Sequence, residues 1–325
     1  RRRIGADDLL VGQIFAYQQT DGKPHATGRE LSMNFSIATW NCFGMGQSVI
    51  DVITYLRAPF GKRFSSPEVI DECSSANVLC VQELLSRASQ VFFDNLVRRY
   101  FPFALRDHNR FGLLSLRGSG LGIAAREPAT EGAKTRKLQS RFLPFRSRGT
   151  SWDKYARKGA LYAQFEYADR LVDVMTVHLQ SGMDAASSAV RAAQLAELAE
   201  WIKWLGSSGR PFIVCGDFNI QGMAADRESG EYKTLTAALG GFTDLGAESD
   251  LPTYHPHPEG NPLAHAFEAE GEPMRIDYIF LRPAETGQAF TPSGFRRILD
   301  RPLSGLTGLG AWASDHYGLV ATFEV

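Results

Sequence analysis

The stretch of sequence that decides the fold runs from residue 172 to residue 219. It opens with VDVMTVHLQ at residues 172–180 and closes with FIVCGDFN at residues 212–219. Both segments contain a short apolar run rich in β-branched residues, which is typical of a buried strand. Between them, leucine and isoleucine recur at helical spacing over residues 187–205, opposite charged residues, and Gly206 ends the pattern. A strand, a helix and a second strand in this order are typical of an α/β protein.

The alternation of strands and helices continues on both sides of this stretch. No Ser/Gly-rich linker, composition break or internal repeat divides the sequence, so one compact domain is predicted over residues 35–325, after a polar lead-in at residues 1–34. The other predicted strands are residues 10–17, 35–40, 78–82, 121–125, 160–165, 276–281 and 318–323, and weaker helices are predicted at residues 49–55, 68–74 and 89–99.

The composition excludes several classes of protein. The 325 residues carry 35 Lys and Arg against 36 Asp and Glu, and 44% are hydrophobic, which excludes a disordered chain and a collagen. No apolar run approaches the roughly 18 residues that span a bilayer. Four scattered cysteines indicate reduced core thiols rather than a disulfide scaffold. The sequence begins at Arg1, so the compartment is left open: secreted or membrane-associated if a leader or anchor precedes it, cytoplasmic otherwise.

Charge is concentrated in residues 126–158, which hold ten basic and three acidic residues, a net charge of +7. Aromatic residues are interleaved with these cations. Such a mixture suits nucleic-acid phosphates and bases, or the surface of an anionic membrane, and it also occurs in a solvated loop. The sequence alone leaves these three interpretations open.

Polar and ionisable side chains stand at the ends of the predicted strands. If the last two strands run antiparallel to the others, all of these side chains meet at one sheet edge. The residues at carboxyl ends are Asn41, Glu83, His178, Asp217 and Asn219, and those at amino ends are Asp277, Asp315 and His316.

A cluster of carboxylates, amides and histidines is costly to bury unless it binds an ion or is fully hydrogen-bonded. This set is rich in oxygen and contains no thiolate, which favours Mg²⁺, with Mn²⁺ as the alternative, over zinc. A divalent cation neutralises phosphate charge, and a histidine of near-neutral pKa takes a proton from water. The cluster therefore predicts metal-dependent phosphoryl chemistry.

Six short motifs, in this order, resemble those of the endonuclease/exonuclease/phosphatase superfamily. The resemblance covers residues 35–325 and implies a four-layer α/β/β/α sandwich of two mixed β-sheets, as in deoxyribonuclease I. The motifs are Thr39-Trp40-Asn41, Val81-Gln82-Glu83, Val177-His178-Leu179-Gln180, Gly216-Asp217-Phe218-Asn219, Arg275-Ile276-Asp277-Tyr278 and Ser314-Asp315-His316.

Within this superfamily the sequence is most similar to the neutral, Mg²⁺-dependent sphingomyelinases. It departs from their pattern at Gly182-Met183-Asp184 and in a long segment between Gly44 and Asn77. The shared motifs are Asn41-Cys42-Phe43-Gly44, Gly118-Ser119-Gly120-Leu121, Lys158-Gly159, His178-Leu179-Gln180 and the pair Arg191 and Gln194. For Arg191 and Gln194, contact with a loop of the site and simple solvation are both left open.

The resemblance implies a role for each site residue. Glu83, Asn41 and Asp315 are the implied metal-binding residues. His316 is the implied general base that activates water, and Asp277 orients it. The other catalytic or substrate-binding residues are Asp217 and Asn219, which position the nucleophile and the phosphate, His178, which stabilises negative charge, and Lys158, which contacts the phosphate.

The leading hypothesis for function is a phosphodiesterase that hydrolyses sphingomyelin, or a related phospholipid, to ceramide and phosphocholine at a membrane surface. An anionic lipid is a further candidate partner, and residues 49–60, 142–155 and 303–312 are candidate membrane contacts. The alternative is a nuclease that uses the same residues on DNA or RNA phosphodiesters, which the +7 segment favours. A non-catalytic binding scaffold is disfavoured because every expected catalytic position holds a competent residue.

Overall fold

A computed structural model describes residues 34–44, 60–107, 118–128, 134–150, 153–154, 156–206, 209–228, 230–285 and 290–325. The strand predicted at residues 10–17 and the helix predicted at residues 49–55 lie outside the described residues. The boundary between the lead-in and the domain therefore stays a prediction.

The described strands form two six-stranded mixed sheets. The first sheet has the order β11-β12-β1-β2-β4-β3 and the second has the order β5-β6-β7-β8-β10-β9. In chain order the strands are β1 Asn34–Asn41, β2 Val78–Gln82, β3 Phe103–Arg106, β4 Gly122–Ala125, β5 Thr135–Pro144, β6 Gly159–Tyr167, β7 Arg170–His178, β8 Phe212–Asp217, β9 Thr243–Asp244, β10 Asp277–Arg282, β11 Thr291–Ile298 and β12 Gly318–Glu324.

Helices α2 and α3 cover the outer face of the first sheet, and α4 and α5 cover that of the second. In the described part of the chain the helices are α1 Phe60–Arg63, α2 Pro67–Ser75, α3 Arg87–Tyr100, α4 Ala185–Leu205, α5 Gly230–Ala238 and α6 Pro262–Phe267, with 3₁₀ turns at Ala224–Asp226 and Gly308–Ala311. The helix predicted at residues 187–205 is confirmed as α4, which Asp184 caps by accepting hydrogen bonds from the amides of Ala186 and Ser187.

Three apolar clusters define the layers of the molecule. One lies between the sheets and joins residues of both, such as Ile37 and Cys80 of the first sheet and Val174 and Cys215 of the second. A second packs α2 and α3 on the first sheet, and a third packs α4 and α5 on the second. This arrangement is the predicted four-layer α/β/β/α sandwich.

Strand direction brings the polar strand ends together. β1 and β2 are parallel, and so are β7 and β8, whereas β12 runs antiparallel to β1 and β10 runs antiparallel to β8. The condition stated for the polar residues to meet, an antiparallel direction of the last two strands, is therefore fulfilled. The polar residues lie on two adjoining edges, one from each sheet, rather than on the single edge that the sequence suggested.

All four buried cysteines are free thiols, as expected. Within the described part of the chain, no helix is both long enough and apolar enough to cross a membrane.

Candidate active site

The candidate site lies where the strand ends of the first sheet that carry polar residues adjoin those of the second sheet. From the first sheet come Asn41 at the end of β1, Glu83 directly after β2, and Asp315 and His316 just before β12. The second sheet contributes His178 at the end of β7, Asp217 at the end of β8 and Asp277 at the start of β10. Asn41, Asp217 and Asp277 are each only 1% exposed. The structure therefore brings the predicted strand-end residues together in one buried cluster.

A glycine allows β8 to approach β7 where the site begins. Gly216 has φ +132°, and a Cβ atom there would lie 2.2 Å from the carbonyl oxygen of Val177. Any side chain would push the two strands apart. This contact explains why glycine precedes Asp217, whose register partners are His178 on β7 and Asp277 on β10.

His316 and Asp277 form a buried hydrogen-bonded pair. His316 Nδ1 lies 2.8 Å from Asp277 Oδ2 and donates to this carboxylate, which leaves Nε2 on the opposite side of the ring, 3.9 Å from Asp217 Oδ2. Burial opposes the charged imidazolium, but the charge and hydrogen bond of Asp277, together with the charges of Asp315 and Asp217, raise the pKa of His316 well above its ordinary value. His316 is thus a strongly basic, buried imidazole whose Nε2 faces Asp217.

Asp217 is the centre of the hydrogen-bond network. Its Oδ2 accepts from Asn41 Nδ2 at 3.0 Å, and its Oδ1 accepts from the backbone amide of Asn219 at 2.9 Å. Asn219 adopts φ +53°, the left-handed region that asparagine tolerates better than most residues, and its Nδ2 donates to the carbonyl of Leu179. The Asp-x-Asn spacing therefore fixes both side chains at the end of β8.

Two carboxylate oxygens in this cluster, Glu83 Oε2 and Asp277 Oδ1, are buried and have no hydrogen-bond partner among the residues that the structure describes. Glu83 as a residue is half-buried, and its Oε1 accepts from Asn41 Nδ2 at 3.3 Å. Burial, followed by the nearby Asp315 carboxylate, raises the pKa of Glu83 to about 7. Burial also raises the pKa of Asp315. Both carboxyls are costly to ionise in the absence of a cation.

The residues present fit a divalent cation. Unpartnered buried carboxylate oxygens are an acceptor surplus that a hard cation relieves, and oxygen ligands without thiolate suit Mg²⁺ or Mn²⁺. By proximity alone, one ligand atom each from Asp217, Asp277 and His316 lie within 4.8 Å of one another. Because His316 Nδ1 is already hydrogen-bonded to Asp277, we assign the metal to Glu83 rather than to these three residues. The assignment of Glu83, Asn41 and Asp315 to the metal remains a prediction.

Lys158 and His178 form a second buried pair. Lys158 Nζ lies 3.1 Å from His178 Nε2, 2.5 Å from the carbonyl oxygen of Leu179 and 2.8 Å from Asp153 Oδ2. Burial, followed by the Lys158 charge, lowers the pKa of His178 to about 4, so His178 is neutral near pH 7 and its Nε2 accepts from the ammonium. All three ammonium donors are directed at protein atoms. The predicted contact of Lys158 with a phosphate therefore requires one of these bonds to be exchanged.

Arg191 and Gln194 are buried on α4 and contact a loop of the site. Gln194 Oε1 accepts from the backbone amide of Gln180 at 2.9 Å, and Arg191 donates to the carbonyls of Gln180 and Gly182. Arg191 also forms a bidentate pair with Glu231 of α5. Of the two alternatives left open, loop contact is the correct one.

Sequence reasoning missed Asp153, which holds Lys158 and also accepts from the backbone amide and hydroxyl of Ser181. A single acidic residue amid the cations before Lys158 was the available signal. The loop histidines His255 and His257 stack on each other, at 6.2 Å between ring centroids, and bond none of the site residues.

Buried carboxylates beside a histidine–aspartate pair, at the adjoining edges of an α/β/β/α sandwich, define a class of enzymes that hydrolyse phosphate esters. The model of the Endonuclease/Exonuclease/phosphatase family matches residues 38–316, so the chain belongs to this family.

Solved structures share this fold at low sequence identity. Sphingomyelinase C from Streptomyces griseocarneus aligns with a TM-score of 0.66 and 15% identity, over 89% of this chain and 99% of that one. A variant of beta toxin from Staphylococcus aureus with bound magnesium ions gives 0.65 and 17%, over 90% and 100%. TDP2 from D. rerio, complexed with a single-strand DNA product, gives 0.64 and 20%, over 90% and 99%. Among curated protein sequences, none matches at a significant level.

Proposed function

We propose that the protein is a metal-dependent phosphodiesterase that hydrolyses sphingomyelin, or a closely related phospholipid, to ceramide and phosphocholine. The observation that carries the hydrolytic chemistry is the hydrogen bond between His316 and Asp277, which leaves Nε2 of His316 facing Asp217. The buried, unpartnered Oε2 of Glu83 belongs to the same cluster. The lipid substrate is supported by the sphingomyelinase-like motifs. Two of these, Lys158-Gly159 and the Arg191 and Gln194 pair, are built into the site and its loops.

The mechanism follows from the placement of the proton acceptor. Asp277 accepts from Nδ1 of His316 and so fixes the tautomer in which Nε2 carries a lone pair. Nε2 takes a proton from a water whose oxygen attacks phosphorus. The bond between phosphorus and the ceramide oxygen breaks, the alkoxide takes up a proton from a second water to give ceramide, and the proton on His316 is passed to the hydroxide that remains, so that one water is consumed overall. Asp217 and Asn219, which are fixed to each other, position the water and the phosphate.

Glu83, with Asn41 and Asp315 beside it, would hold a divalent cation. Bound there, the cation supplies positive charge to the phosphoryl oxygens and the leaving group. His178 also lies beside Asp217, since its Nε2 is 3.5 Å from Asp217 Oδ2, and Lys158 contacts His178. We assign negative-charge stabilisation to the Lys158 ammonium together with His178, because His178 by itself is neutral near pH 7.

A basic cavity next to the catalytic cluster supports a second, anionic lipid partner. The cavity has a volume of about 410 Å³, and its wall includes Arg148, Lys154, Arg157 and the catalytic Lys158. A phosphate group bound in this cavity would lie near one bound at the catalytic cluster, because Lys158 belongs to both. An anionic headgroup beside sphingomyelin in the same bilayer is the partner we propose for it.

The surface offers uneven support for contact with the bilayer. Trp204 is 60% exposed, and the guanidinium of Arg141 lies 4.8 Å from its ring, a pairing suited to an anionic interface. In contrast, Leu303 and Trp312 are buried, so their segment does not present the exposed apolar loop that the sequence suggested. Most of residues 49–60 lie outside the described residues.

A nuclease of the same family is the second candidate function. The basic cavity that fits an anionic headgroup also fits the phosphate next to a scissile nucleotide linkage. The lipid phosphodiesterase would depend on a lipid interface and cleave sphingomyelin, whereas the nuclease would need no such interface and would cleave DNA or RNA.

Release of phosphocholine from sphingomyelin liposomes in Mg²⁺ tests the proposal, with EDTA and His316→Ala as controls. We expect release that both controls abolish. In parallel, single- and double-stranded DNA are incubated with the same samples. Cleavage of DNA without release of phosphocholine would replace the lipid substrate with nucleic acid, and activity that survives His316→Ala would remove His316 as the base.

A further inference from the structure

The segment between β9 and β10 contacts both members of the catalytic pair. The backbone of Tyr254 forms β-bridges with Met274 and with His316, and the Tyr254 ring lies 5.2 Å from the His316 ring. One residue earlier, Thr253 Oγ1 accepts from the backbone amide of Asp277 at 3.0 Å. This segment, residues 253–276, therefore supports His316 and Asp277 from one side.

Asn261 lies at the centre of the 253–276 segment and is fully buried. Its Oδ1 accepts from the amides of Leu263 and Ala264 and so caps α6. Its Nδ2 donates to the carbonyl oxygens of Ser314 at 2.9 Å and Asp315 at 3.1 Å. Both amide hydrogens and the amide oxygen of Asn261 are thus hydrogen-bonded. A side chain without an amide group could not make this set of bonds.

The two carbonyls belong to the residues that immediately precede His316. On the opposite side of this turn, the Ser314 hydroxyl donates to the carbonyl of Asn41 at 2.7 Å and accepts from the amide of His316. The turn is therefore fixed twice, once to the end of β1 and once to Asn261. The position of the His316 ring relative to Asp277 depends on both anchors.

We propose that Asn261 is a positioning residue for His316. Its two amide donors hold the 314–315 turn in the place where Nδ1 of His316 reaches Asp277. The amide group of Asn261 bonds backbone atoms of α6 and of the 314–315 turn, so its effect on the reaction is exerted through His316. This inference rests on the proposed function, because it takes His316 to be the base of the reaction.

Asn261→Ser tests the inference without adding charge. Serine is a favoured cap, so the start of α6 keeps an acceptor, but its hydroxyl is too short to reach both carbonyls. We expect kcat for phosphocholine release to fall about 10- to 100-fold, because small misplacements of a reacting group are costly. KM should stay within about twofold, since substrate contacts are retained.

His265→Ala is the matched control. His265 lies on the same short helix and contacts the carbonyl of Pro256, but it does not touch the 314–315 turn. It should leave kcat unchanged. Equal losses in His265→Ala and Asn261→Ser would show that α6 merely needs to be intact, and would overturn the proposal.

A second readout needs no substrate. In protein labelled with ¹³C-histidine, at fixed pH and with EDTA, the His316 ring signal is assigned by its loss in His316→Ala. We expect the signal to move in Asn261→Ser and to stay in place in His265→Ala. If Asn261→Ser does not fold, Asn261→Thr is measured in its place.

The two readouts separate the two claims. Movement of the His316 signal in a protein that releases no phosphocholine would reject the proposed function and retain the positioning role. An unchanged signal together with an unchanged kcat in a folded Asn261 variant would overturn the positioning role.

Discussion

At the scale of single residues, the Asp277 carboxylate decides which nitrogen of His316 carries the lone pair. In Asp277→Asn the amide can donate to Nδ1, which would place the proton on Nε2, the wrong nitrogen for a base facing Asp217. We expect kcat to fall by about 100- to 1,000-fold with little change in KM. Steady-state kinetics with thermal unfolding as a folding control measure this. A kcat near that of the unmodified protein would mean that another group accepts the proton.

The raised pKa of Glu83 predicts that the stability of the metal-free protein depends on pH. Its pKa of about 7 lies above the ordinary value of 4.5, so the folded state binds more protons than the unfolded state between these two values. The contribution of Glu83 to the free energy of unfolding should therefore fall as pH rises from 4.5 to 7, by on the order of 2 kcal/mol. His178, whose pKa is lowered to about 4, contributes in the opposite direction, so the Glu83 effect is obtained from the difference between the unmodified protein and Glu83→Gln. Urea unfolding in EDTA across this range measures the fall.

Glu83→Gln is the control for this pH effect. It removes the titrating carboxyl, so its free energy of unfolding relative to that of the unmodified protein should rise between pH 4.5 and 7, while the contributions of Asp315 and His178 are present in both proteins. Mg²⁺ should stabilise the unmodified protein more than Glu83→Gln at neutral pH. An identical slope in the two proteins would show that Glu83 does not carry the excess proton.

At the scale of secondary-structure elements, Arg191 joins α4 to α5 and to the loop after β7. Arg191→Ala removes a fully buried guanidinium from Glu231 and from two carbonyls. The side chain of Glu231 is 34% exposed, so water can solvate it after the change, and we expect a loss of about 2 to 3 kcal/mol rather than the full cost of a buried pair.

Denaturant unfolding of Arg191→Ala measures this loss, with Glu231→Gln as the comparison. Glu231→Gln keeps the carbonyl contacts of Arg191 and should cost less. If the two variants lose the same stability, the carbonyl contacts contribute nothing measurable, and the ion pair between Arg191 and Glu231 accounts for the whole loss.

The elements that sequence reasoning found and missed follow a physical rule. Eight strands predicted from apolar runs are confirmed, and the four that were missed, β3, β5, β9 and β11, are the outermost strands of the two sheets. Edge strands carry charges and lack a partner on one side, so their pattern resembles that of loops. β5 is the clearest case, because its sequence TRKLQSRFLP was interpreted only as part of a basic segment.

The candidate site was more predictable than the edges because its residues stand at the ends of buried strands. The direction of a strand, which the apolar pattern does not encode, decided whether Asp277 and His316 joined the others. The sequence did not show which residues hold the side chains of the site in place by hydrogen bonds. Asp153 and Asn261 lie in loops, and only the folded chain shows what their side chains contact.

At the scale of the whole molecule, the basic cavity predicts how surface charge in the bilayer affects activity. Arg148→Glu combined with Arg157→Glu should lower phosphocholine release from vesicles that contain anionic phospholipid, about tenfold or more at low salt. Release from neutral vesicles should change much less, and the difference should shrink as salt screens the charges.

Arg296→Glu combined with Arg301→Glu gives the same change in net charge outside this cavity. Activity on anionic vesicles should be nearly unchanged in this control. A similar loss in both double variants would indicate a response to net charge alone, and the cavity would have no special role.

Because all four thiols are buried, the rate at which each cysteine is modified reports how often the layer around it opens. Cys80 and Cys215 contact each other between the sheets, whereas Cys42 and Cys73 lie under the outer helices of the first sheet. A thiol reagent can therefore modify Cys80 and Cys215 only when the sheets separate, and Cys42 and Cys73 when that helical layer lifts. Mass spectrometry of the modified peptides over time would show which layer opens first.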